Sequence, residues 1–211
     1  MSKLSHYIKC TSKIEVVTGM HIGGSKDELK IGGLDSPVIK NPVTNIPYIP
    51  GSTLKGRFRM ALELKYNDVN SEGKGVGPSQ DHKHESQVVK LFGSASSKTN
   101  FEPTRFIFRD AKLCDDSVDF ANTEAKTEVT MDRKTMSAAK AGPRTQERIP
   151  SGAKFDFEVA IRVFEGDDEK KFVERLKEAM KIVEMEYLGG SGTRWYGKVK
   201  FEDFKTEKVE I

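Results

Sequence analysis

Asp35 is the residue with the most chemical potential in the chain, and it stands alone. Gly32 and Gly33 precede it and Pro37 follows, in the run IGGLDSPVI. A single carboxylate makes no acid–base pair, yet it can accept a proton or hold a metal ion. Turn chemistry accounts for it equally well, since Gly, Asp, Ser and Pro favour turns for backbone reasons. Asp27, Glu28, Asp110 and Asp132 are the other acids that folding can bring beside it. His21 lies in an earlier Gly-rich loop, where a lone histidine is usually solvated.

Two further segments carry anion-binding chemistry. PGSTLKGRFR places Gly51 and Gly56 at P-loop spacing, but Arg57-Phe58 replaces the Lys-Ser/Thr pair. The β/γ-phosphate and magnesium binding of a P-loop nucleoside triphosphatase therefore fails. Ser52 reads instead as an N-cap, and with Thr53, Lys55 and free backbone N–H groups it makes a phosphodiester site at a helix start. An ordinary cap with a basic helix face explains the same residues. In YLGGSGTRWYGKV, Gly189, Gly190, Gly192 and Gly197 let backbone amides approach an anion, and Arg194 adds charge. Trp195 and Tyr196 can stack on bases, although Tyr196 reads better as core. His82 and His84, two apart, fall short of the four ligands of a zinc site, so no structural zinc is expected.

The elements that must position these residues follow from periodicity. Residues 8–18 partly alternate and read as a strand, and AKFDFEVAIRVF alternates cleanly. Residues 19–51 are rich in Gly and Pro, a loop region. An apolar pattern at Leu54, Phe58, Ala61 and Leu62 predicts a helix to about Tyr66. Residues 67–87 are polar and Gly-rich, a flexible loop. RFIFRDAKLC reads as one strand. A second helix begins at Asp167 or Asp168, shows an apolar stripe at Phe172, Val173, Leu176, Met180, Val183 and Tyr187, and stops at Gly189. GKVKFEDF closes the order. Residues 121–151 hold only Val129, Met131, Met136 and Ile149 as sizeable apolar side chains, so this insertion projects until a partner holds it.

That order predicts an α+β class, an RRM- or ferredoxin-like βαββαβ sheet with two helices on one face. The 211 residues suit a single domain, 1–211, carrying the insertion. No apolar run approaches the length of about eighteen needed to span a membrane. MSKLSHYIKC has no apolar signal region, and Cys10 and Cys114 are isolated, which suits a reducing cytoplasm. Net charge is only +3, but its distribution is uneven. Residues 133–148 hold Arg133, Lys134, Lys140, Arg144 and Arg148 against one acid, Glu147, whereas residues 165–186 carry eight acids and five bases. A basic face with a solvated acidic back fits an anionic partner.

TGMHIGGS, IGGLDSPVIKNPVTNIPYIPGSTLKGRFR, LFGS, TEVTMDRKTMSAAKAGPRTQERIPSGAKFDFEV and YLGGSGTRWYGKV occur in this order over most of the chain. Together they resemble the RAMP-superfamily backbone subunits of type III-A CRISPR (Csm) effector complexes. The resemblance implies an RRM-like palm with an inserted thumb β-hairpin. It implies copies stacked head to tail along a CRISPR RNA, with other Csm subunits as neighbours. It also implies cutting of target RNA at regular short intervals, beside kinks made by each thumb, with a divalent metal such as Mg2+ at Asp35. His21, Lys55, Arg57 and Arg133 match positions near guide RNA or the active loop, and Gly189 to Arg194 match the family's glycine loop. Trp195 falls where many members have Gly. The cysteines of a metal site that some members carry in the region of His82 and His84 are missing. A non-catalytic scaffold that only holds guide RNA, or a stand-alone single-strand RNA-binding module, are the rival readings.

Overall fold

The computed structural model describes residues 2–24, 35–69, 78, 86–94 and 102–211. Most of the predicted loop over 67–87 lies outside the described residues, with His82 and His84. Asp27, Glu28 and the Gly32-Gly33 pair lie outside them too.

The elements run β1 (Leu4–Val16), β2 (Tyr48–Ile49), α1 (Gly51–Tyr66), α2 (Gln87–Phe92), β3 (Phe106–Phe108), β4 (Ala111–Lys112), a 3-10 turn, β5 (Glu124–Met131), β6 (Ala138–Arg148), β7 (Lys154–Phe164), α3 (Glu169–Met185) and β8 (Val199–Glu210). The main sheet has the order β3-β7-β1-β8 with antiparallel neighbours. Helix α1 lies between β1 and β3 in sequence, and α3 between β7 and β8, in the succession expected. RFIFRDAKLC, expected as one strand, divides into β3 and β4, because β4 leaves the main sheet to pair with β2.

Alternation on β1 and β7 decides where the core sits. Ile8, Cys10 and Ile14 are buried opposite Ile161, Val159 and Phe155. Helix α1 covers this face with Leu54, Phe58, Ala61 and Leu62. Phe58 stacks on Phe157 at 5.5 Å and meets Phe108 and Phe201 edge-on at 5.3 and 5.8 Å. Each such pair adds about 0.5–1.5 kcal/mol beyond area burial. Helix α3 buries Phe172, Leu176, Ala179, Met180 and Val183, and the Asp168 side chain caps it by accepting from Lys171 N–H. The helix ends at Met185, so Gly189 is not its stop.

The opposite face of the sheet is polar. Lys9 pairs with Glu158, Lys13 with Asp156 and Lys154 with Glu202. Arg162, on the same face, donates instead to Thr104 O at 3.1 Å and has no carboxylate partner among the described residues.

The insertion over 121–151 forms a two-stranded hairpin, β5 with β6, in register from Glu124↔Arg148 to Val129↔Pro143. Its far strand residues are largely exposed. Its foot is packed into the domain through buried Ile149 and Glu147.

Candidate active site

At the foot of the hairpin, β6 has β5 on one edge and the Asp35 segment on the other. Asp35 N–H donates to Thr145 O at 3.2 Å, Thr145 N–H donates to Asp35 Oδ2 at 2.8 Å, and Glu147 N–H donates to Ser36 O at 3.0 Å. Ser36 forms a parallel bridge with Gln146. The turn residue of the sequence thus stays in a bend beside a single bridge, and its backbone and side-chain bonds to Thr145 lock an exposed carboxylate onto the thumb. Oδ1 of Asp35 has no protein partner among the described residues.

Glu147 ties the layers together. It is 4% exposed, and its carboxylate accepts from Val38 N–H at 2.7 Å, from Lys40 Nζ at 2.6 Å and from the Thr123 hydroxyl. Burial opposes its charge, but the bonds from Lys40, Thr123 and Val38 outweigh burial and hold its carboxyl below the ordinary value of 4.5. His21 is buried against the same residue. Its Nδ1–H donates to Glu147 O at 2.7 Å, which leaves Nε2 to accept from the Ser36 hydroxyl at 3.1 Å. His21 is therefore a bridge between thumb and loop rather than a solvated histidine.

The glycine loop closes the third side. Gly190 N–H donates to His21 O at 2.8 Å. Gly189 has φ +88°, and a Cβ there would sit 2.4 Å from His21 O. Arg194 reaches Glu128 of β5 at 3.0 Å, and the buried Tyr196 donates its hydroxyl to the same Glu128 at 2.6 Å. Tyr196 is core, as its sequence context suggested.

Three expectations need correction. Ser52 does not cap α1: the cap residue is Pro50, and Ser52 is exposed. Asp110 Oδ1 instead accepts from Gly51 N–H at 2.7 Å, so a distant carboxylate occupies the anion slot at this helix start. Arg57, expected at RNA, is 7% exposed. Its Nε donates to Tyr187 O at 2.7 Å, its guanidinium pairs with Glu186 and lies 4.6 Å from the Tyr187 ring centroid. It positions the glycine loop, since the Tyr187 ring fills the space a Gly192 side chain would need. Asp132 is not beside Asp35 either. It sits in the thumb-tip turn, where N–H groups of Thr135 and Lys134 lower its pKa.

Lys55 and Arg133 remain on the surface. Burial, then the neighbouring Arg59, lowers the Lys55 pKa, and no acid pairs with it among the described residues. Arg133 is at the thumb tip, donating to Met131 O. Hence His21, Asp35, Gly189, Gly190 and Arg194 converge on the thumb foot, while Lys55, Arg133 and Ser52 do not. The residues missed by sequence reasoning are Glu147, Ser36, Lys40, Thr145 and Glu128. Only Glu147 left a signal, as the lone acid in the basic run 133–148.

Among the described residues, a divalent ion finds one carboxylate here. No cluster of three or more His, Cys, Asp or Glu able to hold a metal exists among the described residues. The open Oδ1 of Asp35 fits a weakly held, largely hydrated magnesium ion rather than a caged one.

The RAMP superfamily model matches residues 13–208, nearly the whole chain. The chain belongs to the RAMP superfamily. This RAMP protein is 44% identical to the "CRISPR system Cms endoribonuclease Csm3" of Methanocaldococcus jannaschii, over 91% of its own length and 77% of that protein. It is 43% identical to the Csm3 of the same description from Streptococcus thermophilus, over 96% and 90%. A solved structure, the Csm3–Csm4 subcomplex of the type III-A CRISPR-Cas interference complex, contains a similar chain. The TM-score is 0.66 at 31% identity, covering 99% of this RAMP chain and 82% of the other. Among the described residues, no helix is long and apolar enough to cross a membrane.

Proposed function

We propose that this chain is the CRISPR RNA-binding backbone subunit of a type III-A (Csm) interference complex and the endoribonuclease that cuts complementary target RNA. Copies of it stack head to tail along the guide in the cytoplasm, alongside other Csm subunits. The observation that carries this reading is Asp35: an exposed carboxylate, held by Thr145 N–H at the thumb foot, in a chain 43–44% identical to Csm3 endoribonucleases.

RNA brings its own nucleophile, the 2′-OH. A nucleotide kinked at the thumb foot places that oxygen in line with the adjacent phosphorus. Orientation of this kind is worth many orders of magnitude in rate. Asp35 accepts the 2′-OH proton as the oxygen attacks, the P–O5′ bond breaks, the leaving O5′ takes a proton from water, and a 2′,3′-cyclic phosphate and a 5′-OH result. The bonds from Thr145 and Glu147 hold the Asp35 segment in place, so the carboxylate is presented without a search. Alternatively, Asp35 would hold a divalent cation, which would supply charge neutralisation at the phosphate.

The test uses the assembled complex. Asp35→Ala is expected to retain guide and target binding and lose cutting. A single 2′-deoxy nucleotide at one cut site is expected to abolish cutting there alone, and EDTA to stop cutting while binding persists. Full cutting by Asp35→Ala would reduce the chain to a scaffold.

A further inference from the structure

Trp195 has a backbone conformation that suits glycine, with φ +68° and ψ 30°. A side chain with a Cβ is strained there. Burial does not repay the strain, because Trp195 is 69% exposed. Nor is the segment loose. Arg194 N–H and Trp195 N–H donate to Ser191 O and Gly192 O, both at 2.9 Å, and Gly197 N–H donates to Gly19 O at 3.1 Å. On one side Arg194 is anchored to Glu128, and on the other Tyr196 is buried. The backbone therefore aims the indole outward from a fixed frame. Lys198 Nζ lies 5.3 Å from the ring centroid.

We propose that Trp195 is a stacking platform for one base of the bound RNA, with Lys198 placed to meet its phosphate. This rests on the RNA-binding reading above and adds a contact to it. The surroundings favour a nucleotide over a protein. A protein docking site needs contiguous apolar surface, whereas the residues flanking Trp195 in sequence are Gly192, Thr193, Arg194, Tyr196 and Lys198, of which the one large apolar ring, Tyr196, is buried. An isolated aromatic with cations beside it is how single strands are held without base readout. The backbone strain then serves to hold the ring ready before RNA arrives.

Trp195 is the sole tryptophan of the chain, so its emission reports on this site alone. The full chain is titrated with a single-stranded RNA oligonucleotide, following tryptophan emission and, separately, anisotropy of the labelled RNA. Emission is expected to be quenched with the same midpoint as the anisotropy change. Trp195→Ala and Trp195→Gly are expected to weaken binding about tenfold, and Trp195→Phe to restore most of it. Trp195→Gly is expected to melt no lower than the parent, which separates lost stacking from lost folding. A normal anisotropy change with unaltered emission, or Ala and Gly variants that bind as tightly as the parent, overturns the proposal and leaves RNA binding standing. Absence of any anisotropy change in the parent overturns both. Normal RNA affinity with failure of the Ala variant to associate with a second copy makes Trp195 a protein contact, which also overturns it.

Discussion

Side chains of the same type take opposite roles according to what surrounds them. Arg57 and Lys55 are two residues apart on α1, and such positions do not share a helix face. Arg57 is turned inward, onto Glu186 and the Tyr187 ring, whereas Lys55 has no acidic partner among the described residues. Arg57→Ala is therefore expected to cost about 1–3 kcal/mol of stability, chiefly from the stranded Tyr187 carbonyl. Thermal denaturation of the isolated chain measures this, at about 2–4 °C per kcal/mol for a domain of this size. Arg57→Lys should not restore it, since an ammonium lacks the planar fork that satisfies a carbonyl and a carboxylate together. An unchanged melting temperature with weakened RNA binding would return Arg57 to the RNA surface.

The hairpin of β5 and β6 has one end in the core and one in solvent. Its tip makes only local bonds around Asp132, while its foot is fastened through Glu147, Thr145 and Glu128. Glu147→Ala is expected to leave the Val38 N–H and Lys40 Nζ without their carboxylate and so to loosen, against the hairpin foot, the chain that follows Asp35. The stability loss should be about 1–3 kcal/mol, with lost RNA cutting. Because the folded-state pKa of Glu147 is lowered, its contribution is present above the ordinary value of 4.5 and disappears as pH falls below it. Melting temperatures of the parent should drop on acidification through that range. In Glu147→Gln the drop should be shallower and start from a lower neutral-pH value. Equal slopes for the two proteins would mean that Glu147 is not the acid-sensitive fastening.

Across the whole molecule, net charge near zero conceals a division of labour. The open sheet face carries several ion pairs, and Lys55 and Arg133 lie away from it, on α1 and at the thumb tip. RNA affinity is expected to fall with salt, and removing either cation should lower the slope of log affinity against log salt by about one. Lys55→Ala and Arg133→Ala should each leave melting within about 0.5 kcal/mol of the parent, as surface changes do. Equal slopes for all three proteins would exclude both side chains from phosphate contact.

Periodicity in the sequence was enough to determine α1, α3, β1 and β7, because apolar spacing reports burial along one element. Composition likewise marked the hairpin, which has too little apolar surface to form a core of its own. The dipeptide Asp35-Ser36 was legible as a turn former between glycines and a proline, but not as a segment bonded to the edge of β6. Tertiary structure alone decided that Asp110 caps α1, that Arg57 faces inward and that Glu147 binds thumb, loop and His21 together. Those pairings join residues 59 to 130 positions apart. Local spacing carries no information about partners so distant, which meet only after the sheet has packed.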